Sequence, residues 1–472
     1  MTPHDLVLHH FEFPFSLREY QSDAVNELAP LSRTGLYLEP GLGKTAVSTF
    51  CALYKMIMGQ AETVLAIMPP LLVDQWAAWL SKIKRKNGLH LSIVKYAGTG
   101  EKRKSINLSG DFVLTGVQLF KRDLERMDRV FNVKDTHVIL DEAQCVKDVG
   151  TANHHVYREF VESKTHQLLT GTPLNVPVDA YAYISLVAPG VYRNLLHFNN
   201  SHVTEVDIRD KATAYKDLDI LTENLLINAV RKTKEDVLKD LPECVVSTVE
   251  YSLDPAHYKL YTTLANNKLL ELPDGGKIDA TQVSALFHAL GQIVCQWSYF
   301  GQDEKLKAKA YSLVEEVLDE LGDKKLIVFT NYKRTNQEMV RRFGCPGIWS
   351  EVSHDEKQAG LKKFLNDDKC RLITMNMVAG GVGLDGFQHV CTDALYLEPP
   401  VTPAHLTQSL SRVHREGQKH SVSVRLGVAL GTLQRSRVDV LTDKESLIAP
   451  IQGSKAYLTP EEVRHLVFGG VI

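Results

Sequence analysis

Short apolar runs recur along the first 170 residues, each followed by a stretch with helical spacing. "GLYL" (35–38), "TVLAIM" (63–68), "DFVLTG" (111–116), "HVILDE" (137–142) and "HQLLTG" (166–171) place apolar side chains on consecutive positions. A strand buried on both faces reads this way, so the rhythm predicts a parallel sheet covered by helices. Residues 16–28 predict a helix opened by a Ser16–Glu19 capping box. Residues 175–235 read as mostly helical, without strand rhythm. Residues 239–253 read as a connector, because Pro242 separates a helical from an extended pattern. A helical stretch follows to about 300, with 273–277 as an exposed loop. The strand rhythm returns at 324–332, 370–376 and 393–399. The expected fold class is therefore α/β, two parallel-sheet units with helical insertions. The expected boundaries are 1–238 for the first unit (insertion at about 175–235), 239–302 for connector and helical insertion, and 303–472 for the second unit.

The ends of these strands carry the candidate chemistry. "EPGLGKT" (39–45) follows the first apolar run. Glycines at 41 and 43 let backbone N–H groups approach a phosphate, and a helix N-terminus adds a positive field. Lys44 can neutralise phosphate charge and the Thr45 hydroxyl can reach Mg²⁺. The full phosphate-loop pattern has Gly six residues before the Lys; here that position is Leu38. Alone, the stretch also fits an ordinary strand–turn–helix corner.

"HVILDEAQ" (137–144) ends an apolar strand in two adjacent carboxylates, and ligands in open α/β sheets sit beyond such strand ends. Asp141 suits Mg²⁺, and Glu142 suits orienting and deprotonating a water. Read alone, the pair also fits a solvated helix cap. Thr170 and Thr172 in "QLLTGTPL" (167–174) offer hydroxyls to a γ-phosphate, although Gly171 and Pro173 would make a turn there for any reason. In "TPAHLTQSLSRVHREGQ" (402–418), Thr402 can cap a helix, Pro403 suits its first position and Gly417 its end. Gln408, Arg412 and Arg415 would then share one face. The stripe fits two arginine fingers aimed at a γ-phosphate, or a solvated basic face.

Composition narrows the class. The chain has 472 residues, 44% hydrophobic and 24% charged, with a net charge of −3. It is globular, and any polyanion surface must be local. The odd count of seven cysteines and the absence of C-x-x-C point to a reduced, cytosolic setting rather than a disulfide framework or zinc cluster. "MTPHDLVLHHFEF" lacks the basic start and apolar core of a signal peptide, and no run approaches the ~18 apolar residues of a membrane span.

Together these stretches resemble superfamily 2 helicases, and among them the SWI/SNF remodeller-type ATPases, a branch related to the DEAD/DEAH-box proteins. The pieces come in the family's order over about residues 15–445. "LREYQ" resembles the adenine-reading segment, which implies nucleotide contacts from Arg18 and Gln21. "EPGLGKT" resembles motif I, "AIMPPLLVDQW" (66–76) Ia, "VLTGVQLF" (113–120) Ib, "LDEAQCVKD" II and "LTGTPLN" III. "VRKTKEDVLKDLP" (230–242) resembles the basic segment closing the first lobe. "LIVFTNY" resembles motif IV, "AGGVGLDG" (379–386) V, and "QSLSRVHREGQ" VI.

The resemblance implies two RecA-like lobes and an ATPase using ATP and Mg²⁺. It assigns catalysis to Lys44, Glu142, Arg412 and Arg415. Nucleotide binding falls to Arg18, Gln21, Gly41, Gly43, Lys44, Thr45, Gly383 and Gln408, and the cation to Thr45 and Asp141. Double-stranded DNA would be held at Gln75, Thr115, Lys333, Arg334 and Gly380 through backbone contacts that carry no sequence information. Single-stranded DNA or RNA stays open as the partner, as does a protein that targets the motor. The compact make-up points to the cytoplasm of a bacterial or phage-infected cell. The chain departs from the pattern at Pro40, usually Met, in DEAQ for DEAH, in Asn376–Met377–Val378 before "AGG", and in "PPVTP" before motif VI. A second basic candidate is 81–104, with eight Lys or Arg against one Glu. It reads equally as a DNA-side rim and as a solvated surface.

Overall fold

A computed structural model describes residues 1–131, 135–207, 210–271, 277–279, 283–296, 300, 308–377 and 386–452. The chain divides into two compact units, one built on Met1–Lys239 and the other on Asp240–Ser446.

The first unit is built on a seven-stranded sheet. Its order is Ala229–Lys232, Arg33–Leu38, Thr165–Leu169, Thr136–Asp141, Thr63–Met68, Phe112–Gly116 and Ile93–Tyr96. Every neighbouring pair is parallel. Burial on both faces explains the consecutive apolar positions. Leu36 and Leu38 join a core with Val47, Phe50, Leu53 and Trp76 on one face. Tyr37 joins Val138, Leu140, Tyr157 and Tyr183 on the other. The strand Arg33–Leu38 is separated from Thr63–Met68 by the two strands that end at Asp141 and Leu169. That order sets the three motif-bearing turns side by side at the carboxyl ends, where open sheets bind ligands.

The second unit has a six-stranded parallel sheet in the order Cys244–Tyr251, Val422–Ala429, Cys391–Tyr396, Lys325–Thr330, Leu372–Asn376 and Gly347–Ile348. Two α/β units on parallel sheets is the expected fold class.

Several expectations need correction. The helix expected at 16–28 is Glu19–Leu28, and its cap is Arg18 with Gln21, not Ser16 with Glu19: Gln21 Oε1 accepts from the Arg18 N–H at 2.9 Å. Residues 175–235 hold the hairpin Val203–Val206/Ala212–Tyr215 and the sheet strand Ala229–Lys232 as well as helices. The expected connector contains Cys244–Tyr251, a full strand of the second sheet. Helices Pro255–Asn267 and Val283–Ile293 do occupy the following stretch, with a short hairpin, Leu269–Glu271 with Lys277–Asp279, between them. Most of the loop expected at 273–277 lies outside the described residues.

Candidate functional site

The loop after Leu38 turns on two glycines with left-handed backbone, Gly41 at φ +94° and Gly43 at φ +82°. The helix Lys44–Ile57 begins immediately after them. Lys44 Nζ reaches back over the loop and donates to the Leu38 carbonyl at 3.0 Å. Burial lowers the Lys44 pKa, and the charges of Glu142 and then Asp141 oppose that shift. Gln21 docks on the same loop. Its Nε2 donates to Leu42 O at 3.1 Å, and the Tyr20 hydroxyl donates to the same carbonyl at 3.1 Å. Of the two adenine-segment residues, Gln21 is thus fixed on the phosphate loop, while Arg18 is exposed at the head of its helix.

Beyond the next-but-one strand, Asp141 is 5% exposed. Its Oδ1 accepts from the Glu142 N–H at 2.9 Å and its Oδ2 from Trp76 Nε1 at 2.9 Å. Burial, and then the Glu142 carboxylate, push Asp141 above the usual carboxylate range; Lys44 and the indole N–H oppose the shift. Glu142 sits in left-handed backbone, φ +54°, a conformation that costs a non-glycine residue about 1–3 kcal/mol and that aims its side chain off the strand. Gln144 Nε2 donates to Glu142 Oε2 at 2.7 Å, and Gln144 Oε1 accepts from the Thr170 hydroxyl at 3.1 Å. The Thr172 N–H donates to Thr170 Oγ1 at 3.2 Å. Four residues of two turns thus form one hydrogen-bonded chain.

A magnesium ion fits this donor set. Hard oxygen ligands are what it requires, and the carboxylate of Asp141 lies on the same sheet edge as the Thr45 helix start. Among the described residues no cluster of three His, Cys, Asp or Glu side chains could hold a metal by itself. The remaining ligands would be phosphate and water oxygens.

Sequence reasoning missed a clamp beneath the loop. Arg231, on the edge strand Ala229–Lys232, donates to Tyr37 O at 2.7 Å and pairs with Glu39 at 3.4 Å. Glu39 Oε2 also accepts from the Lys234 N–H at 3.1 Å. The basic segment is therefore a strand and a one-turn helix, Lys234–Val237, locked to the strand Arg33–Leu38 through one buried carboxylate.

In the second unit Thr402 Oγ1 does cap a helix, accepting from His405 N at 3.2 Å, with Pro403 at its first position. That helix ends at Leu410. Gln408 is on it, but Arg412 and Arg415 are half-buried in the turns that follow, so the three do not share one helix face. The helix stops seven residues before Gly417, and the turn beyond it is pinned by Gln418. Gln418 Nε2 donates to Cys391 O and Val413 O, and its Oε1 accepts from the N–H groups of Lys419 and His420. His414 Nε2 contacts Pro242 O at 2.7 Å, fixing the same turn from the other side.

The nucleic-acid candidates divide. Gln75 is exposed on the helix Val73–Leu80. Lys333 and Arg334 are exposed at the start of the helix Lys333–Phe343, where Lys333 pairs with Glu351. Thr115 must be withdrawn as a surface contact: it lies inside the sheet, 0% exposed, between Ile67 and Tyr96 on the flanking strands. Gly380 and Gly383 lie outside the described residues. The basic run 81–104 is largely neutralised within the unit. Arg85 pairs with Asp111, Lys86 with Glu12, Lys95 with Asp74, Arg103 with Asp123 and Lys104 with Glu101.

The SNF2-related domain profile matches residues 20–298, and the helicase conserved C-terminal domain matches 309–417. The chain belongs to the SNF2-related family. Among similar proteins, an uncharacterized ATP-dependent helicase of Mycoplasma pneumoniae is 23% identical over 460 residues, 94% of this chain and 43% of that protein. The uncharacterized ATP-dependent helicase YqhH of Bacillus subtilis is 23% identical over 449 residues, 88% of this chain and 75% of that one. This SNF2-related chain thus spans under half of the first relative's length. A solved SWI2/SNF2 ATPase core of Sulfolobus solfataricus, in complex with dsDNA, is 22% identical with a TM-score of 0.43, covering 96% of this chain and 97% of that one. No helix among the described residues is long and apolar enough to cross a membrane.

Proposed function

We propose that the chain is an ATP-driven motor that moves along double-stranded DNA. The observation that carries this reading is the hydrogen-bonded chain from Glu142 through Gln144 to Thr170, set beside Lys44 and Asp141 at one sheet edge. A plain binding module has no use for an oriented, strained carboxylate next to a phosphate loop. Membership of the SNF2-related family, with the helicase C-terminal profile following it in the chain, supports the same reading.

ATP is held by the backbone N–H groups around Gly41 and Gly43, with Lys44 neutralising the phosphates and Gln21 and Arg18 on the base side. Gln408 and Gly383 serve the nucleotide from the second lobe. Asp141 and Thr45 would hold Mg²⁺, which would supply screening of the phosphate charge. Glu142, fixed by Gln144, orients the attacking water and accepts its proton. Arg412 and Arg415 meet the developing charge when the two lobes close on ATP. Closure and reopening move the DNA contacts, Gln75 on one lobe and Lys333, Arg334 and Gly380 on the other, past each other along the backbone. The protein is cytoplasmic in this reading and works on the DNA of a bacterial or phage-infected cell, with any targeting supplied by a separate protein.

ATP hydrolysis measured with no nucleic acid, duplex DNA, single-stranded DNA and RNA tests the proposal. Stimulation by duplex is expected. Stimulation by RNA alone would move the chain to the RNA helicases, and no hydrolysis in any of the four would leave a binding module.

A further inference from the structure

The helix Val73–Leu80 has two faces. Asp74, Gln75 and Ala78 are exposed, whereas Val73, Trp76, Ala77 and Leu80 are buried. Trp76 and Trp79 stand one turn apart and each points an indole N–H at the nucleotide machinery. Trp76 Nε1 donates to Asp141 Oδ2 at 2.9 Å. Trp79 Nε1 donates to Thr49 Oγ1 at 3.3 Å, and Thr49 Oγ1 donates in turn to Thr45 O at 2.7 Å. One short helix therefore reaches Asp141 directly and the backbone of Thr45 through Thr49.

We propose that Trp76 is a positioning residue that ties the Asp141 carboxylate to duplex DNA gripped by the outer face of the Val73–Leu80 helix, with Trp79 anchoring the same helix on Thr49. The inference rests on the reading of Asp141 as a cation ligand and of Gln75 as a DNA contact. A carboxylate rotates about its last bond unless both oxygens are held. Oδ1 is held by the adjacent backbone N–H and Oδ2 by the indole, so the lone pairs left for a cation point in one direction. Trp76 is 1% exposed, which leaves water no room to replace that N–H. An indole is rigid, with two torsions, and both are blocked by packing. A small displacement of the helix under Gln75 must then turn or tilt the carboxylate. By linkage, duplex DNA and the divalent cation strengthen or weaken each other's binding by the same factor.

Trp76→Phe removes the N–H and keeps an aromatic ring. The probe is Mn²⁺ binding to the protein–ADP complex, followed by electron paramagnetic resonance with and without duplex DNA. In the wild type, duplex is expected to change Mn²⁺ affinity. In Trp76→Phe the affinity is expected to fall about ten-fold or more, as loss of a ligand-orienting hydrogen bond usually does, and to stop responding to duplex. Trp79→Phe is expected to keep most of the affinity and lose part of the response. A Trp76→Phe protein that binds Mn²⁺ like the wild type, with the same response, overturns the proposal. Should Trp76→Phe not fold, the ¹⁵N-indole spectrum of the wild-type chain decides. The Trp76 N–H resonance must move when Mg²⁺ and ADP are added, and an unmoved resonance overturns the proposal equally. If duplex fails to stimulate wild-type ATP hydrolysis, the motor reading fails. The Mn²⁺–ADP comparison without DNA still decides the Trp76–Asp141 link.

Discussion

Gln144 bridges Glu142 and Thr170, donating to the carboxylate at 2.7 Å and accepting from the hydroxyl at 3.1 Å. A residue whose amide offers a donor on one side and an acceptor on the other can serve both neighbours at once. Alanine can serve neither, and glutamate would face Glu142 with a like charge. Glu142→Gln is expected to lower the hydrolysis rate by about 100-fold or more while ATP binding persists, since a positioned base contributes about 10²–10⁴-fold. Gln144→Ala is expected to lower kcat by roughly ten-fold with KM little changed, and Gln144→His to restore much of it. Steady-state kinetics with duplex DNA checks both. Equal kcat in wild type and Gln144→Ala would remove the bridge from the mechanism.

The phosphate loop should be intolerant at Gly43. A Cβ there would stand 2.3 Å from Gln21 Nε2, on a backbone at φ +82°. Gly59, at φ +67° with nothing within 4 Å of an added Cβ, is the control. Gly59→Ala is expected to cost only the conformational term, about 1 kcal/mol of stability. Gly43→Ala is expected to cost that and also to weaken nucleotide binding several-fold by displacing Gln21. Urea unfolding and nucleotide titration of the two variants separate the terms.

The ion pairs of residues 81–104 sort the basic run. Lys82 and Lys84 are exposed and, like Lys102, show no ion pair among the described residues, whereas Arg103 is 5% exposed and donates to both Asp123 and Gly98 O. Neutralising Lys82, Lys84 and Lys102 to Gln is expected to flatten the dependence of DNA affinity on salt if these side chains meet phosphates, by roughly 0.9 in log–log slope for each phosphate no longer neutralised. Arg103→Gln is expected to leave that slope unchanged and to lower the melting temperature by several degrees, because it strips a hydrogen-bonded partner from Asp123. A salt series on both variants, with melting curves, is the measurement.

Glu398 gives the second unit a pH dependence. It is 0% exposed, its oxygens accept from the Asn331 N–H at 3.0 Å and the Thr335 hydroxyl at 2.7 Å, and burial pushes it up to about 7 despite those donors and the more distant Arg437. A carboxyl raised in the folded state from 4.5 favours folding when protonated. Its contribution is complete below the unfolded value and is lost as pH rises through about 7. Stability should therefore fall between pH 5 and 8 by up to about 3 kcal/mol from this group. Glu398→Gln is expected to flatten that slope in urea unfolding across the interval.

The strands that the sequence announces are those buried on both faces. Thr63–Met68 is apolar at every position after Thr63, and Thr136–Asp141 carries the consecutive apolar run Val138–Leu140, because helices cover both sides of the sheet. Ala229–Lys232 and Cys244–Tyr251 are edge strands with polar positions, and a run such as "AVRK" has no period to detect. The end of the helix at Leu410 was hidden for a different reason: no glycine or proline marks it, and the turns after it are held by a tertiary hydrogen bond from Gln418 to Cys391. In the candidate site, the order of Lys44, Asp141, Glu142 and the arginine pair was legible as motifs. The Trp76–Asp141 bond joins residues 65 apart in the chain, and nothing local to either residue signals it.

The proposed role of Arg412 and Arg415 is tested most directly by single-turnover ATP hydrolysis, on duplex DNA, in the Arg412→Ala and Arg415→Ala proteins. If the triphosphate held at Lys44 reacts only when these guanidiniums join it, ATP binding should stay within a few-fold of the wild type. The rate constant for hydrolysis should fall by about 1,000-fold or more, the usual worth of an arginine finger. Hydrolysis within two-fold of the wild-type rate in both proteins would mean that the first lobe works alone.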